Sequence, residues 1–464
     1  MAGMESNAEE ALRRAHYRKM TETPVEKLVT KLAIPTIVSM LVSSLYNMAD
    51  TYFVSQLGTS AAGAVGVVFS IMAIIQAVGF TIGMGGGVIS SRQLGAREVD
   101  KAGSTASSAF FLSLALGILL AVFGLAFNRP LMGLLGATDT ILPYAQAYAS
   151  YIFVGCPFMC ASFVMNNLLR SEGKAAFAMV GITAGGVLNI VLDPIFIFTL
   201  GLGTAGAAIA TSLSQFVSFC ILLSIFLMGK SSLRLSIRLV STRPSMYTGI
   251  VKMGLPSLSR QGLASIATVA LNVSAAAFGD AALAAMSITG RITFFLFSTL
   301  LGFGQGYQPV CSFNWGAGKY GRVEEAARFT CRAGTIMIAV LSAICLIFAR
   351  SLTSAFVSDD PDVIRMGTLA LQSQCIALAL TGLNVTTNMS LQGSGKYAQA
   401  TFLALCRQGL FFIPLVIMLP RVIGLYGVLF AQAVSDVLTF FTSIHFYRSF
   451  LEELRLRAKK EPFA

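Results

Sequence analysis

Apolar residues run through this 464-residue chain in long, nearly unbroken blocks separated by short polar stretches. Twelve blocks stand out, at roughly 31–54, 61–90, 104–127, 141–166, 176–199, 204–228, 248–278, 283–312, 329–349, 363–389, 399–420 and 424–449. Each is long enough to cross about 30 Å of hydrocarbon as an α-helix. The blocks are continuous and rich in Leu, Ile, Val, Phe and Ala, without the alternation that the strands of a transmembrane barrel require. The pattern predicts an all-α integral membrane protein with twelve transmembrane helices.

The polar stretches between the blocks are not equivalent. Lys and Arg crowd the N-terminal tail, the loops after even-numbered blocks and the C-terminal tail, while the opposite side keeps only Arg129, Arg350, Arg365 and Arg421. Positive charge collects on the cytosolic side of membrane proteins. The asymmetry therefore predicts an even number of spans with both termini cytosolic.

The chain also repeats itself. LAIPTI at 32–37 resembles MGLPSL at 253–258, LGA at 94–96 resembles WGA at 315–317, EGK at 172–174 resembles SGK at 394–396, and GTAGAAIA at 203–210 resembles GLYGVLFA at 424–431. The shift is about 221 residues each time. Two six-helix lobes of the same sense are expected, related by an axis along the membrane normal, with a central cavity. The expected organisation is a tail at 1–27, a first lobe at 28–228, a connector at 229–247, a second lobe at 248–450 and a tail at 451–464.

Composition adds two restrictions. The chain is 55% hydrophobic and 12% charged, with a mean hydropathy of +0.74. Its net charge of +12 is accounted for by the loop asymmetry, so it signals topology and attraction to anionic headgroups, not nucleic acid. The polar N-terminal stretch lacks the apolar core of a cleavable signal peptide and reads as a short cytosolic helix or tail. The eight cysteines, including the CPFMC run at 156–160, lie mostly inside apolar blocks, and the only histidines are His16 and His445. Packing thiols explain them better than a metal site.

Three acids fall inside the blocks: Asp50, Asp193 and Asp436. Ionisable groups in a membrane are costly and mark functional positions. Three intramembrane arginines, Arg260, Arg291 and Arg407, all lie in the second half, where Asp436 and Arg407 sit at similar depth and are expected to pair. Asp50 and Asp193 have no intramembrane cation in their half of the chain. Tyr46 lies one turn before Asp50 and Asn189 one turn before Asp193, on the same helix faces. Thr211 on the sixth block returns to that depth. Asp193, Asn189 and Thr211 are thus expected to converge as hard oxygen ligands suited to a proton, or to Na⁺ with help from Asp50. Pro194 weakens the helix beside Asp193, and Pro35 does so below Asp50, so both are candidate hinges or ordinary membrane-helix kinks.

Other patterns carry less. GMGGG at 83–87 and GITAGG at 181–186 place small residues at helix-packing spacing. No GxxxxGK[ST], HExxH or GxSxG occurs, which leaves no ATPase, metalloprotease or esterase motif. Gln305, Asn272, Asn384 and Asn388 either line a cavity or hydrogen-bond between helices.

PTIVSMLVSSLYNMADTYFVSQLG in the first block, RQLGAREVDKA after the second, LRSEGK after the fourth, NIVLDPIFI in the fifth and LQGSGK in the second half together resemble the multidrug and toxic compound extrusion family, in its DinF-like bacterial and archaeal branch. The resemblance spans roughly 28–450. It implies a secondary antiporter of the bacterial inner membrane that exports small amphiphilic, mostly cationic compounds by alternating access, in exchange for H⁺ or Na⁺. It needs no cofactor, binds no nucleic acid and acts as a monomer. Asp50 and Asp193 match the branch's coupling carboxylates, Asn189 and Thr211 their polar neighbours, and Tyr46, Tyr148 and Asn166 nearby cavity residues. Acids that another branch carries in the seventh and tenth helices are missing here, and Asp436 falls outside the pattern.

A flippase for a lipid-linked or amphipathic anionic substrate shares the wider architecture and would use Arg260 and Arg291. The unpaired acids of the first half favour a cationic cargo. An intramembrane enzyme would need catalytic pairs or metal ligands, and the sequence has neither.

Overall fold

A computed structural model describes residues 2–357 and 360–460. All regular structure among them is helical. The first half contains α1 (Ala2–Glu22), α2 (Val25–Ser55), α3 (Thr59–Gly95), α4 (Val99–Ala126), the short α5 (Asn128–Leu134), α6 (Leu142–Ser171), α7 (Ala175–Pro194) and α8 (Gly203–Leu227). The second half contains α9 (Pro244–Ala276), α10 (Asp280–Gly316), α11 (Tyr320–Ile347), the short α12 (Ala349–Phe356), α13 (Pro361–Leu378), α14 (Thr381–Gly393), α15 (Tyr397–Leu405), α16 (Ile413–Ile423) and α17 (Leu425–Ala458). A π-helical turn, Ile195–Thr199, follows α7, and another, Cys406–Phe412, joins α15 to α16.

Ten stretches among the described residues are long and apolar enough to cross a bilayer, and α13 with α14 makes an eleventh. The expected seventh span, α9, is 33 residues long. Ser, Thr, Gln and Asn scattered from Ser257 to Asn272 dilute its hydropathy. The tenth block is not one straight helix. It bends by 50° between α13 and α14. Thr381 Oγ1 donates to the Leu378 carbonyl at 2.6 Å, occupying a backbone acceptor at the break.

The chain divides into two compact units, and the division differs from the expected 28–228 and 248–450. Unit 1 comprises Met1–Met20 and Val38–Leu258, and unit 2 comprises Thr21–Ile37 and Ser259–Ala464. Two helices are therefore shared: α2 passes from unit 2 to unit 1 just after Pro35, and α9 passes from unit 1 to unit 2 just after Pro256.

Glycine explains why the early turns of these helices pack where they do. In unit 1, α3 and α9 cross backbone to backbone. A Cβ on Gly85 would sit 1.9 Å from the Ile250 carbonyl oxygen, and one on Gly254 would sit 1.9 Å from that of Thr81. In unit 2, α10 meets the start of α2 in the same way, with a Cβ on Gly306 falling 2.3 Å from Ala33 Cα and one on Gly302 falling 2.8 Å from Ile37 Cα. Gly85 and Gly306, like Gly254 and Ala33, are counterparts under the repeat shift. Such contacts maximise dispersion between helices in a solvent where lipid is as apolar as leucine.

The axis of unit 1 is α6. Of its apolar window, 78% is buried, against 44% or less for the other spans. Its side chains Tyr148, Ile152, Cys156 and Cys160 are fully enclosed in a core shared with Val68 and Ile75 of α3 and Ala207 and Ala208 of α8. Tyr148 is thereby fixed in the middle of the unit.

The start of the chain is docked on unit 1. His16 Nε2 donates to the Glu172 carbonyl at 2.6 Å, and a Cβ on Gly173 would meet Met20 Sδ at 2.7 Å. The Arg97 guanidinium lies 4.4 Å above the Tyr17 ring. Arg97 is the non-glycine residue with positive φ, 62°, among the described residues, and its repeat counterpart is Gly318. A side chain in this left-handed conformation is unfavourable, and the stack on Tyr17 offsets part of that cost.

Candidate functional site

Glycine also builds the site in unit 1. On α7, a Cβ at Gly186 would meet Val42 Cγ1 at 2.9 Å and Tyr46 Cδ1 at 3.2 Å on α2. A Cβ at the neighbouring Gly185 would meet Ser218 Cβ at 3.0 Å and the Ser214 carbonyl at 3.2 Å on α8. Thus α2 and α8 both approach α7 closely at the GITAGG run. Asn189 and Asp193, on the following turns, are presented to both neighbours.

Two hydrogen-bonded groups result, one on each aspartate. The Asn189 amide Nδ2 donates to Asp193 Oδ1 at 3.1 Å and to Thr211 Oγ1 at 3.2 Å. The Thr211 hydroxyl lies near the Tyr148 hydroxyl. Tyr148 donates to Asp50 Oδ2 at 3.2 Å. Tyr46 lies beside Asp50, and Gln215 and Asn47 lie near its hydroxyl. Asp50 is 8% exposed and Asp193 0%, so both carboxyl groups lie out of water. They are close enough to interact electrostatically with each other.

What is missing from this set is as informative as what it contains. Asp50 Oδ1, Asn189 Oδ1 and Asp193 Oδ2 are buried acceptors without a hydrogen-bond partner among the described residues. No Lys or Arg among those residues forms an ion pair with either aspartate. Unpaired acceptors and unbalanced negative charge in a low-dielectric site are costly unless a cation joins them. Carboxylate and amide oxygens suit a proton or a hard monovalent cation, and the donor set fits either as transported cargo.

Not every expected residue is here. Asn166 is buried near the end of α6, where its Nδ2 donates to the Ala178 carbonyl at 2.8 Å. Asn388 does the same for Ala400 at 2.7 Å in unit 2, so both amides tie consecutive helices together. Asn272 is exposed on α9, Gln305 is buried on α10, and Asn384 accepts from Ser443 Oγ at 3.4 Å. All three belong to unit 2. Pro194 ends α7 directly after Asp193, and the π turn begins at the next residue. Gln215 was not singled out from the sequence, although it lies one turn beyond Thr211 on the same face of α8. Asp436 is paired with Arg407 at 2.7 Å, as their depths suggested.

A polytopic helical protein with an inner, cation-receptive oxygen cluster belongs to the class of membrane transporters. The MatE family model matches residues 35–195 and again 256–418, one match per half. The chain belongs to this family, the multidrug and toxic compound extrusion transporters, and is not an enzyme. The multidrug export protein MepA of Staphylococcus haemolyticus is 27% identical over 424 residues, covering 91% of this chain and 93% of its own length. A crystal structure of MATE in complex with MaL6 superposes with a TM-score of 0.90 at 27% identity, covering 95% of this chain and 99% of that one. An outward-facing structure of a multidrug resistance MATE transporter gives 0.89 at 27% identity, covering 94% and 98%.

Proposed function

We propose that this protein is a secondary active multidrug antiporter that exports small amphiphilic, mostly cationic compounds by alternating access in exchange for H⁺ or Na⁺. Asp50 and Asp193 act as its coupling carboxylates, assisted by Asn189 and Thr211. The observation that carries this reading is the gathering of Asp193, Asn189 and Thr211 beside the Tyr148–Asp50 pair, which leaves three acceptor oxygens open and no built-in cation. The multidrug export function of the MepA relatives supports it. Acids on the first and fifth spans also favour the DinF-like branch.

In this scheme an ionised aspartate balances a cationic drug. Loading H⁺ or Na⁺ at the same oxygens removes that balance and releases the drug, so ion and drug exclude each other. Exchanging one ion for one monovalent cationic drug moves no net charge, so export is driven by the ion's concentration gradient, about 1.4 kcal/mol for each tenfold. Pro194, and Pro35 near the point where α2 changes unit, serve as hinges. The protein acts as a monomer in the bacterial inner membrane with both termini cytosolic. A flippase for an anionic lipid-linked substrate is the second reading, and the unneutralised acids weigh against it.

The test is drug efflux from proteoliposomes under a pH gradient alone and a sodium gradient alone, for wild type and Asp193→Asn. Wild type should respond to one gradient and the variant to neither. Gradient-driven export at the wild-type rate by Asp193→Asn would refute the assignment.

A further inference from the structure

The connector between the halves is fastened at a definable depth in unit 1. Gly229, with a φ of 68°, turns the chain out of α8, and α9 begins at Pro244. Ser231 Oγ donates to Glu172 Oε1 at 2.6 Å and the Ser232 amide to Oε2 at 2.7 Å, on the residue where α1 also docks. The chain then crosses α4. Ser107 Oγ donates to the Arg234 carbonyl at 2.9 Å and accepts from the Ser236 amide at 3.1 Å, and Ser108 Oγ accepts from the Ser241 amide at 2.9 Å. Both serines are fully buried. They lie one turn inside the apolar block of α4 that opens at 104, roughly 5 Å past its edge. The backbone of 234–241 is therefore held at the boundary between headgroups and hydrocarbon.

The two attachments leave a mixed apolar and basic strip facing outward. Leu233 is buried, and Leu239 turns towards α4, where a Cβ on Gly103 would meet its Cδ1 at 3.7 Å. Ile237, in the 3₁₀ turn Ile237–Leu239 between the Ser107 and Ser108 attachments, is instead 72% exposed. Leu227 and Met228, at the entry to the connector, are exposed too. So are Lys230, Arg234, Arg238 and Arg243, and 229–243 contains no acid. The matching stretch of the second half, 451–458, continues as α17 and carries Glu452 and Glu453 among its cations. Topology asks only for an excess of positive charge at this face. It does not ask for an exposed isoleucine held among the cations at the depth of the acyl chains.

We propose that the connector is a binding surface for anionic glycerophospholipids, with Ile237 entering the acyl-chain boundary and Arg234, Arg238 and Arg243 taking the headgroup phosphates. Basic residues flanking an apolar one are the pattern of segments that lie in the membrane interface, and guanidinium groups bind phosphate oxygens through charge-assisted hydrogen bonds. An acidic protein would meet the same charge, but the bilayer occupies the space beside Ile237 at that depth. The surface uses neither Asp50 nor Asp193 and stands apart from the export reading.

The test places a reporter in the surface of the full-length protein. The chain has one tryptophan, Trp315, so Trp315→Phe combined with Ile237→Trp gives a single fluorophore at the site. The protein is reconstituted in phosphatidylcholine vesicles that contain equal fractions of dibrominated phosphatidylglycerol or dibrominated phosphatidylcholine, and quenching reports the relative association of the two lipids. The anionic lipid should be favoured by at least about fivefold, the factor for one cation at an anionic surface. The preference should fall towards unity when Arg234→Gln, Arg238→Gln and Arg243→Gln are combined, and should persist when the three are replaced by Lys. Loss in the Lys variant as well would overturn a contact based on charge. Equal quenching by both lipids would overturn headgroup recognition and leave only apolar contact, and no quenching by either would place residue 237 in water and overturn the surface altogether. Abolition of the preference by inorganic phosphate at matched ionic strength would overturn it in favour of a free-phosphate site. Brominated lipid occupies both leaflets, so the result does not depend on which face is cytosolic.

Discussion

Tyr148 and Asp50 meet at 3.2 Å although they are 98 residues apart in the chain. The tyrosine comes from the enclosed centre of α6 and the aspartate from α2. This hydroxyl is the single hydrogen-bond donor found on Asp50, whose other oxygen has none among the described residues. The pair is the point at which the rigid core of unit 1 touches the proposed coupling chemistry.

Tyr148→Phe keeps the ring and its packing and removes that donor. Leaving a buried acceptor wholly unsatisfied costs about 1–3 kcal/mol. Gradient-driven efflux in proteoliposomes should fall about tenfold, while the amount of folded protein recovered in detergent stays near wild type. Wild-type efflux would show that Asp50 does not depend on this contact.

Asn189 is the junction of the network, because its amide serves Asp193 and Thr211 together. Asn189→Ala should remove ion coupling more completely than Thr211→Val, which deletes one hydroxyl and leaves the amide bond to Asp193. The measurement is the drug efflux driven by a fixed ion gradient in the two variants. Equal loss in both would mean that the amide acts only through Thr211.

The crossing of α3 and α9 gives a stability prediction. Gly254→Ala forces a methyl into the Thr81 carbonyl, and the helices must separate to admit it. Overpacking of this kind costs about 1–3 kcal/mol, seen as a lower thermal midpoint in detergent. Gly66→Ala on α3 is the control, since a Cβ there meets nothing within 4 Å. Its midpoint should hold or rise slightly, given the better helix propensity of alanine.

The docking of α1 should respond to pH. Burial holds the His16 imidazole below its ordinary value of 6.5, with Glu172 opposing the effect less strongly. The released helix therefore binds a proton more readily than the docked one, so docking is complete above pH 6.5 and weakens as pH falls below it. Hydrogen exchange at the amides around His16 should quicken on acidification from pH 7 towards 5. His16→Gln, which can still donate to the carbonyl, should abolish the pH step.

Much of this was legible in the sequence because membrane segments obey a simple rule of length and hydropathy. Asp193, Asn189 and Thr211 were also readable, since spacing along two antiparallel helices fixes depth and face. Three things were not. The π turns at Ile195 and Cys406 and the bend at Thr381 depend on which carbonyl each local donor captures, and hydropathy is blind to that. Asn166 was placed among the cavity residues by the family resemblance alone, and only the fold shows that its amide is spent on the Ala178 carbonyl. The unit boundaries inside α2 and α9 are set by contacts hundreds of residues away, such as Gly306 against Ala33.

That last feature bears on how such a chain can be divided. Severing the connector would yield two fragments, neither of which carries its own unit intact: the first would lack Pro244–Leu258, and the second would lack Thr21–Ile37. Complementation would then require co-expression, with each fragment lending its leading helix to the other. A half-length ancestor with these glycine crossings could have satisfied them only as a dimer with exchanged arms, and duplication of its gene would have fixed that exchange in a single polypeptide.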